Sequence, residues 1–385
     1  MSSGGMVRLL PLFIVGLCGH IGWSILFPVV PLYADSFGAS VVIVGLVVGV
    51  SSYVAALTMI PFGMLSDRVG RRVIMVVGLL ASILAPLLYI VVSTPLQLIM
   101  VRGIHGLAIA SFIPPANALV VDMSPPERRG EAMGWFATAI AVGFIIGPIS
   151  GGFLLNSFGF DAAFYACSFA TLLALLLVLP WLRSMPEKAS LVEEKESSWS
   201  WLWQRRAVGG LLTVLFIVFG SGTMVAFLPL YGGTTGITAS QAGIIVTAMY
   251  GSSALLRAPA GALSDKIGRE MVIICGFIIS AAAIACFSFL TSFLLLMIAG
   301  IVFGLGMGLA VTASFALVAD LASIKSRGLA MGVVNASLSA GLAIGATAMG
   351  GVAAVAGFES MFGICGAVLA AGLIVVFFLI RRGSG

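Results

Sequence analysis

Apolar residues run along this chain in blocks of twenty or more, each ended by a short polar or charged connection. The blocks lie near residues 9–32, 39–62, 73–92, 95–123, 130–154 and 160–182, and again near 207–231, 240–262, 271–290, 292–320, 328–352 and 358–380. About 20 apolar residues carry a helix across a ~30 Å hydrocarbon core, so the pattern predicts twelve membrane-spanning helices. Gly and Pro recur inside the blocks, as membrane helices tolerate. The first block is too long for a signal-peptide core and is expected to be retained, while residues 1–5 and 383–385 read as appended ends.

The second set of blocks copies the first at an offset of 198 residues. GMLSDRVGRR at 63–72 pairs with GALSDKIGRE at 261–270. Pro31-Leu32-Tyr33 pairs with Pro229-Leu230-Tyr231, Asp122 with Asp320, and Gly130, Ala132, Met133 and Gly134 with Gly328, Ala330, Met331 and Gly332. A gapless repeat of this length sets the architecture. We expect a bundle of six helices over residues 1–182, a polar linker over 183–206, and a second six-helix bundle over 207–385. The linker carries Trp199, Trp201 and Trp203, a residue type that favours the headgroup level.

Charge then orients the predicted spans. Of 19 Lys and Arg, only Arg102 and Arg257 fall well inside a block. The other seventeen lie in connections on one side, among them Arg8, Arg68, Arg128, Arg183, Lys188, Lys195, Arg205, Lys266, Lys325, Arg327 and Arg382. The positive-inside bias therefore places both termini and the linker in the cytoplasm. Hydrophobic residues make up 61% of the chain and charged residues 9%, against about a quarter charged in soluble domains. The net charge of +5 reflects this asymmetry and calls for no nucleic-acid partner. Cys18, Cys167, Cys275, Cys286 and Cys365 all fall within blocks at no ligand-like spacing, so neither a metal nor a disulfide is expected.

The chain resembles the major facilitator superfamily over nearly its whole length, through twelve spans, two halves and motif A in GMLSDRVGRR. The resemblance implies an all-α membrane protein whose two bundles rock about a central site, opening it to each side in turn. Gly63 permits close helix approach and Gly70 a tight turn, while Asp67, Arg68, Arg71 and Arg72 are placed to pair with Asp122. In the family such a cluster latches the cytoplasmic side; a simple positive-inside anchor is the plainer reading. Glu270 replaces Arg72 in the second copy, so a weaker or purely structural latch is expected there.

Gly143, Gly147, Pro148, Gly151 and Gly152 in the fifth span resemble motif C, which the family associates with twelve-span drug:H⁺ antiporters. Glycines at 143, 147 and 151 share a face and allow close packing, and Pro148 removes a backbone hydrogen bond and bends the helix. A generic packing face is the alternative. Arg102 and His105 lie in a stretch resembling motif B, where the family's Arg is proposed to assist proton transfer; the alternative is a structural Arg bonded to the backbone of a broken first span. Arg257 is expected to snorkel to the cytoplasmic surface.

No carboxylate lies inside a span. His20 is then the first candidate proton carrier and Asp35, at the outer mouth, the second; a hydrogen-bonded packing histidine is the competing reading. Trp23 and Phe27 share a face with His20, Phe219 and Thr223 lie on one face of the seventh span, and Met307 is on the tenth. With the scarce polar residues Asn117 and Asn335, these suit an apolar or amphipathic substrate. The expected function is proton-coupled export of a hydrophobic or amphipathic small molecule by a monomer in a bacterial or archaeal membrane, with protons and lipid as its other partners. An importer or facilitator of a small anionic or neutral nutrient, and a receptor on a transporter scaffold, are the alternatives. No P-loop, metal cluster or nucleophile–base pair appears, so neither an enzyme nor a cofactor is expected.

Overall fold

The structure, a computed structural model, describes residues 9–125, 128–184, 199–323 and 326–381. The chain ends, most of the linker, and Arg8, Lys188, Lys195, Lys325 and Arg382 lie outside the described residues. Six helices form the first half: α1 (Leu10–Ser36), α2 (Val41–Val69), α3 (Arg71–Ile90), α4 (Pro95–Asp122), α5 (Arg129–Phe158) and α6 (Phe160–Ser184). The second half has α7 (Arg205–Thr235), α8 (Ala239–Ile267), α9 (Arg269–Cys286) and α10 (Phe293–Leu321). Its last helical run, Arg327–Ile380, is broken at Gly357 (φ 77°, ψ 169°) into α11 (327–356) and α12 (358–380). The predicted blocks thus appear as twelve helices.

The repeat extends to conformation. Every positive-φ glycine among the described residues has a partner 198 positions away: Gly38 with Gly236, Gly70 with Gly268, and Gly159 with Gly357. Each ends a helix where a residue with a Cβ would be strained. Ser40 and Thr238 share the same offset, and each caps its helix by accepting a hydrogen bond from the backbone N–H three residues on. Tyr33 donates to the Tyr89 carbonyl at 2.8 Å, and Tyr231 donates to the Leu290 carbonyl at 3.1 Å. Pro28 and Pro31 leave α1 a single helix rather than a broken one. The linker's Trp201 is buried against Ala207 and Val214 at the start of the second bundle, whereas Trp203 is 84% exposed.

Within the first bundle α1 packs on α5 and α6, and α4 packs on α2 and α3; the second bundle repeats this. Between bundles, α2 crosses α11 and α5 crosses α8. Gly45 lies against the Ala346 carbonyl, and its repeat mate Gly243 lies against the carbonyl of Pro148, the mate of Ala346. A Cβ on Gly49 would stand 2.9 Å from the Ala343 carbonyl, and one on Gly152 would stand 2.5 Å from that of Ala239. Hydroxyls add hydrogen bonds: Tyr53 with Thr347 at 2.8 Å, Thr247 to the Ile145 carbonyl at 2.8 Å, and Ser240 to that of Gly152 at 3.1 Å. All these contacts fall in the halves of the helices remote from the basic connections. Toward the basic end, no hydrogen bond or ion pair joins the two bundles among the described residues.

Gly45→Leu or Gly243→Leu forces a side chain into a backbone-to-backbone contact, an overpacking that costs about 1–3 kcal/mol. Spin labels across the end remote from the basic connections are expected to move apart in both variants. Gly351→Leu, where a Cβ meets nothing within 4 Å, serves as the control, and an equal response in all three would sink the crossing as the seal.

Candidate functional site

The crossings bring an aromatic cluster to the meeting of the bundles. Trp23 and Phe27 on α1 lie edge-on, with ring centroids 5.7 Å apart, and Phe144 on α5 stacks on Tyr250 of α8 at 5.1 Å. Phe27 lies 5.9 Å from both of these rings. Tyr250 shares a 2.9 Å hydrogen bond with Ser221 on α7. Phe144 and Tyr250 were not singled out from sequence. Phe144 was visible only as part of the glycine motif, and the α8 face carrying Tyr250 is defined by its crossing with α5.

The glycine face of α5 is used along its length. Gly143 packs on the Leu17 carbonyl and the His20 Cβ, Gly147 on Ile21 and Ser24, and Gly151 on the Ile25 carbonyl. Ser24 donates to the Gly143 carbonyl at 2.9 Å. In the second half Gly341 and Gly345 meet the Leu215 and Phe219 carbonyls at the repeat offset. Pro148 sits within an uninterrupted α5, and its own carbonyl faces Gly243.

Arg102 is buried on α4 and bound to α2. Its guanidinium donates to the Val47 carbonyl at 3.1 Å, the Val48 carbonyl at 3.0 Å and the Ser51 hydroxyl at 2.5 Å. The backbone it engages is thus that of the second span. His105, one turn further on, shares a 3.0 Å hydrogen bond with the Tyr89 hydroxyl, and Arg102 lies within electrostatic reach of both. Arg102 also borders a narrow gap between the bundles, with Trp23, Phe27, Ser52, Val225 and Leu342. A neighbouring small cavity inside the first bundle is lined by both histidines with Trp23, Ser82, Cys167 and Thr171. His20 is buried, with Nδ1 2.8 Å from the Gly16 carbonyl and its ring among Trp23, Phe112 and Phe144. Asp35 lies apart, exposed near the end of α1.

The α7 stripe is placed differently from its expected role. Thr223 is fully buried and bonded within its bundle to the Phe219 carbonyl at 3.0 Å, with the Cys365 thiol of α12 beside it. Phe219 and Met307 also pack in the core. Spacing identified this face, but only the neighbouring helices reveal that α11 and α12 cover it, while Val225 borders the gap to the other bundle and Ser221 meets Tyr250 of α8. Asn335 is half-buried and donates to its own helix at the Met331 carbonyl, 2.8 Å away; Asn117 is half-buried on α4.

At the basic end Arg71 bridges Asp67, at 3.4 Å, and Asp122. Arg68 and Arg72 form no ion pair among the described residues. The second copy is equally complete: Arg269 pairs with Asp265 at 2.6 Å and Asp320 at 3.2 Å. Glu270 instead pairs with Arg206 at 2.7 Å, so its replacement of Arg72 leaves the ion triad intact. Gly70 forms the turn at φ 109°, and Gly63 is loosely packed, with Pro114 3.8 Å from its potential Cβ.

The profile of the Major Facilitator Superfamily matches residues 12–238 and again 211–384. This chain belongs to that superfamily and is an integral, multi-pass membrane transporter rather than an enzyme. It is similar to an uncharacterized MFS-type transporter of Methanocaldococcus jannaschii, 31% identical over 89% of this chain and 90% of that protein. It is also similar to the multidrug resistance protein MdtG of Citrobacter koseri, 30% identical over 69% of this chain and 68% of that protein. The fold superposes on an inward-facing, unoccupied bacterial homologue of the human lysosomal transporter Spinster with a TM-score of 0.83 and 18% identity, covering 99% and 98% of the two chains.

Arg102→Lys is expected to destabilise the first bundle by about 2–3 kcal/mol, because one ammonium cannot reproduce a fork spanning two carbonyls and a hydroxyl. Ser51→Ala is expected to cost about 1 kcal/mol, one hydrogen bond. Thermal unfolding of the purified proteins checks the order, and a larger loss in Ser51→Ala would refute it.

Proposed function

We propose that this protein is a proton-driven exporter of a hydrophobic or amphipathic small molecule, working by alternating access as a monomer in a bacterial or archaeal cytoplasmic membrane. The observation carrying this reading is the α5 crossing. Its glycines let α5 meet α1 and α8 almost backbone to backbone, beside the aromatic cluster where the bundles join. The similarity to multidrug resistance proteins supports the same substrate class.

The basic end is the cytoplasmic one by the positive-inside bias, with both termini there. On that assignment the bundles are closed outside and parted inside, an inward-facing state. The Arg71 cluster is assembled within the first bundle in this state. Its gating role therefore lies in what it offers the second bundle when the cytoplasmic side closes. Asp67→Asn or Arg72→Ala is expected to widen the spin-label separation across the cytoplasmic halves, and an unchanged distribution would reduce the cluster to an anchor.

Proton coupling falls to His20 and His105, which share a small cavity with Trp23. In proteoliposomes with an imposed pH gradient, His20→Ala is expected to abolish driven transport while sparing substrate binding. Driven transport lost only in Asp35→Asn would move the carrier to the outer mouth. Full gradient dependence in both variants and in His105→Ala would remove the basis for proton antiport.

A further inference from the structure

The interiors of the spans, away from the helix ends, hold two guanidinium groups and no carboxylate, and the coupling proposed above uses neither. The register of α8 decides where Arg257 points. This helix meets α5 through Ala239, Gly243 and Thr247, and Tyr250 continues that face. It meets α10 through Met249, Ser252 and Ser253. At 3.6 residues per turn, Arg257 lies about five turns below Ala239 and two below Tyr250 on nearly the same azimuth. Leu255, 80% exposed, marks the opposite side of the helix, about 200° away. Arg257 therefore faces the space between the bundles instead of snorkelling along lipid. It sits ten residues before the end of α8 at Ile267, about 15 Å inside the basic end.

Three observations at this point favour an anion. Arg257 has no ion pair or hydrogen bond among the described residues, and the Tyr250 hydroxyl lies within its electrostatic reach. Tyr250 and Ser221 supply a hydroxyl pair between the guanidinium and the aromatic cluster. Arg102 makes a poorer recognition group because its donors are committed to Val47, Val48 and Ser51. An unpaired guanidinium at membrane depth is costly, and a planar oxyanion matches its fork of donors. A cation entering the same space meets repulsion, with no carboxylate at that depth among the described residues.

We propose that Arg257, with the Tyr250–Ser221 hydroxyl pair, recognises the carboxylate or sulfonate of an amphipathic organic anion whose apolar body lies against Trp23, Phe144 and Tyr250. This rests on the exporter reading and specifies its substrate class. The anionic end is held toward the basic face and the apolar end at the junction of the bundles. The unused cation on α8 thereby becomes the specificity element of the site.

Three probes share one ring system and differ in charge: 2-naphthoate, 2-naphthamide and 2-naphthylmethylammonium. Their binding to the full chain in lipid nanodiscs is measured by equilibrium dialysis, and their movement is measured in proteoliposomes. Naphthoate is expected to bind at least about tenfold tighter than the ammonium compound, the scale of one charge-assisted hydrogen bond. Arg257→Gln is expected to remove about tenfold of naphthoate affinity while leaving naphthamide unchanged, and Arg257→Lys to restore part of the loss. Because the naphthoate-to-naphthamide ratio is read within each protein, a partly unfolded variant does not blur the result. An unchanged ratio in Arg257→Gln, or tightest binding of the ammonium compound by the unmodified protein, overturns the proposal. Transport of naphthamide or the ammonium compound with naphthoate excluded overturns anion recognition and leaves the exporter reading standing. Transport of none of the three overturns both.

Discussion

Close approach of helix backbones at glycine is the constraint on which the rest of the molecule depends. In a membrane, lipid tails are as apolar as side chains, so helices gain little from burying hydrophobic surface and associate through packing and hydrogen bonds. Here Gly45 against Ala346 and Gly243 against Pro148 bring the halves together at two symmetry-related crossings. Hydroxyls of Tyr53, Thr247 and Ser240 add hydrogen bonds across them. The aromatic cluster and the adjoining cavity exist because the helices that carry them cross at these points.

Polar chemistry in the spans is scarce, and its placement is asymmetric. Gly300 and Phe303 stand in the second half where Arg102 and His105 stand in the first. Duplication supplied the frame, and the buried polar network of Tyr89, His105, Arg102 and Ser51 belongs to one bundle only. The ion triads at the basic end are the reverse case, since Arg71 and Arg269 keep the same partners in both halves. Arg71 and Arg269 are about four-fifths buried while their carboxylates are at least 39% exposed. Such pairs are worth about 1 kcal/mol or less each, so they suit fixing a loop geometry better than stabilising a bundle.

Much of this was legible in the chain because membrane spans carry a strong, local signal. Twelve apolar blocks, a 198-residue repeat and one-sided cations report length, symmetry and sidedness without any tertiary contact. Asp122 was legible as a partner for the motif cluster because both sit at adjacent helix ends. The α7 stripe was misread because periodicity shows that residues share a face and not which neighbour covers it. Thr223 turns inward on α11 and α12, and Val225 holds the position bordering the other bundle. The partner of Glu270 was not legible, because Arg206 is 64 residues away.

The sequence by itself determined the number of spans, the two-fold plan and the glycine, proline and charged residues available at each helix face. These follow from local composition, since each span must satisfy its own backbone in lipid. Tertiary structure alone decided that Arg102 binds the second span and that both histidines border one small cavity. Those outcomes depend on how each helix is rotated about its axis. Rotation is set by packing against neighbours distant in the chain, such as α5 against α8, and no window of sequence contains both partners.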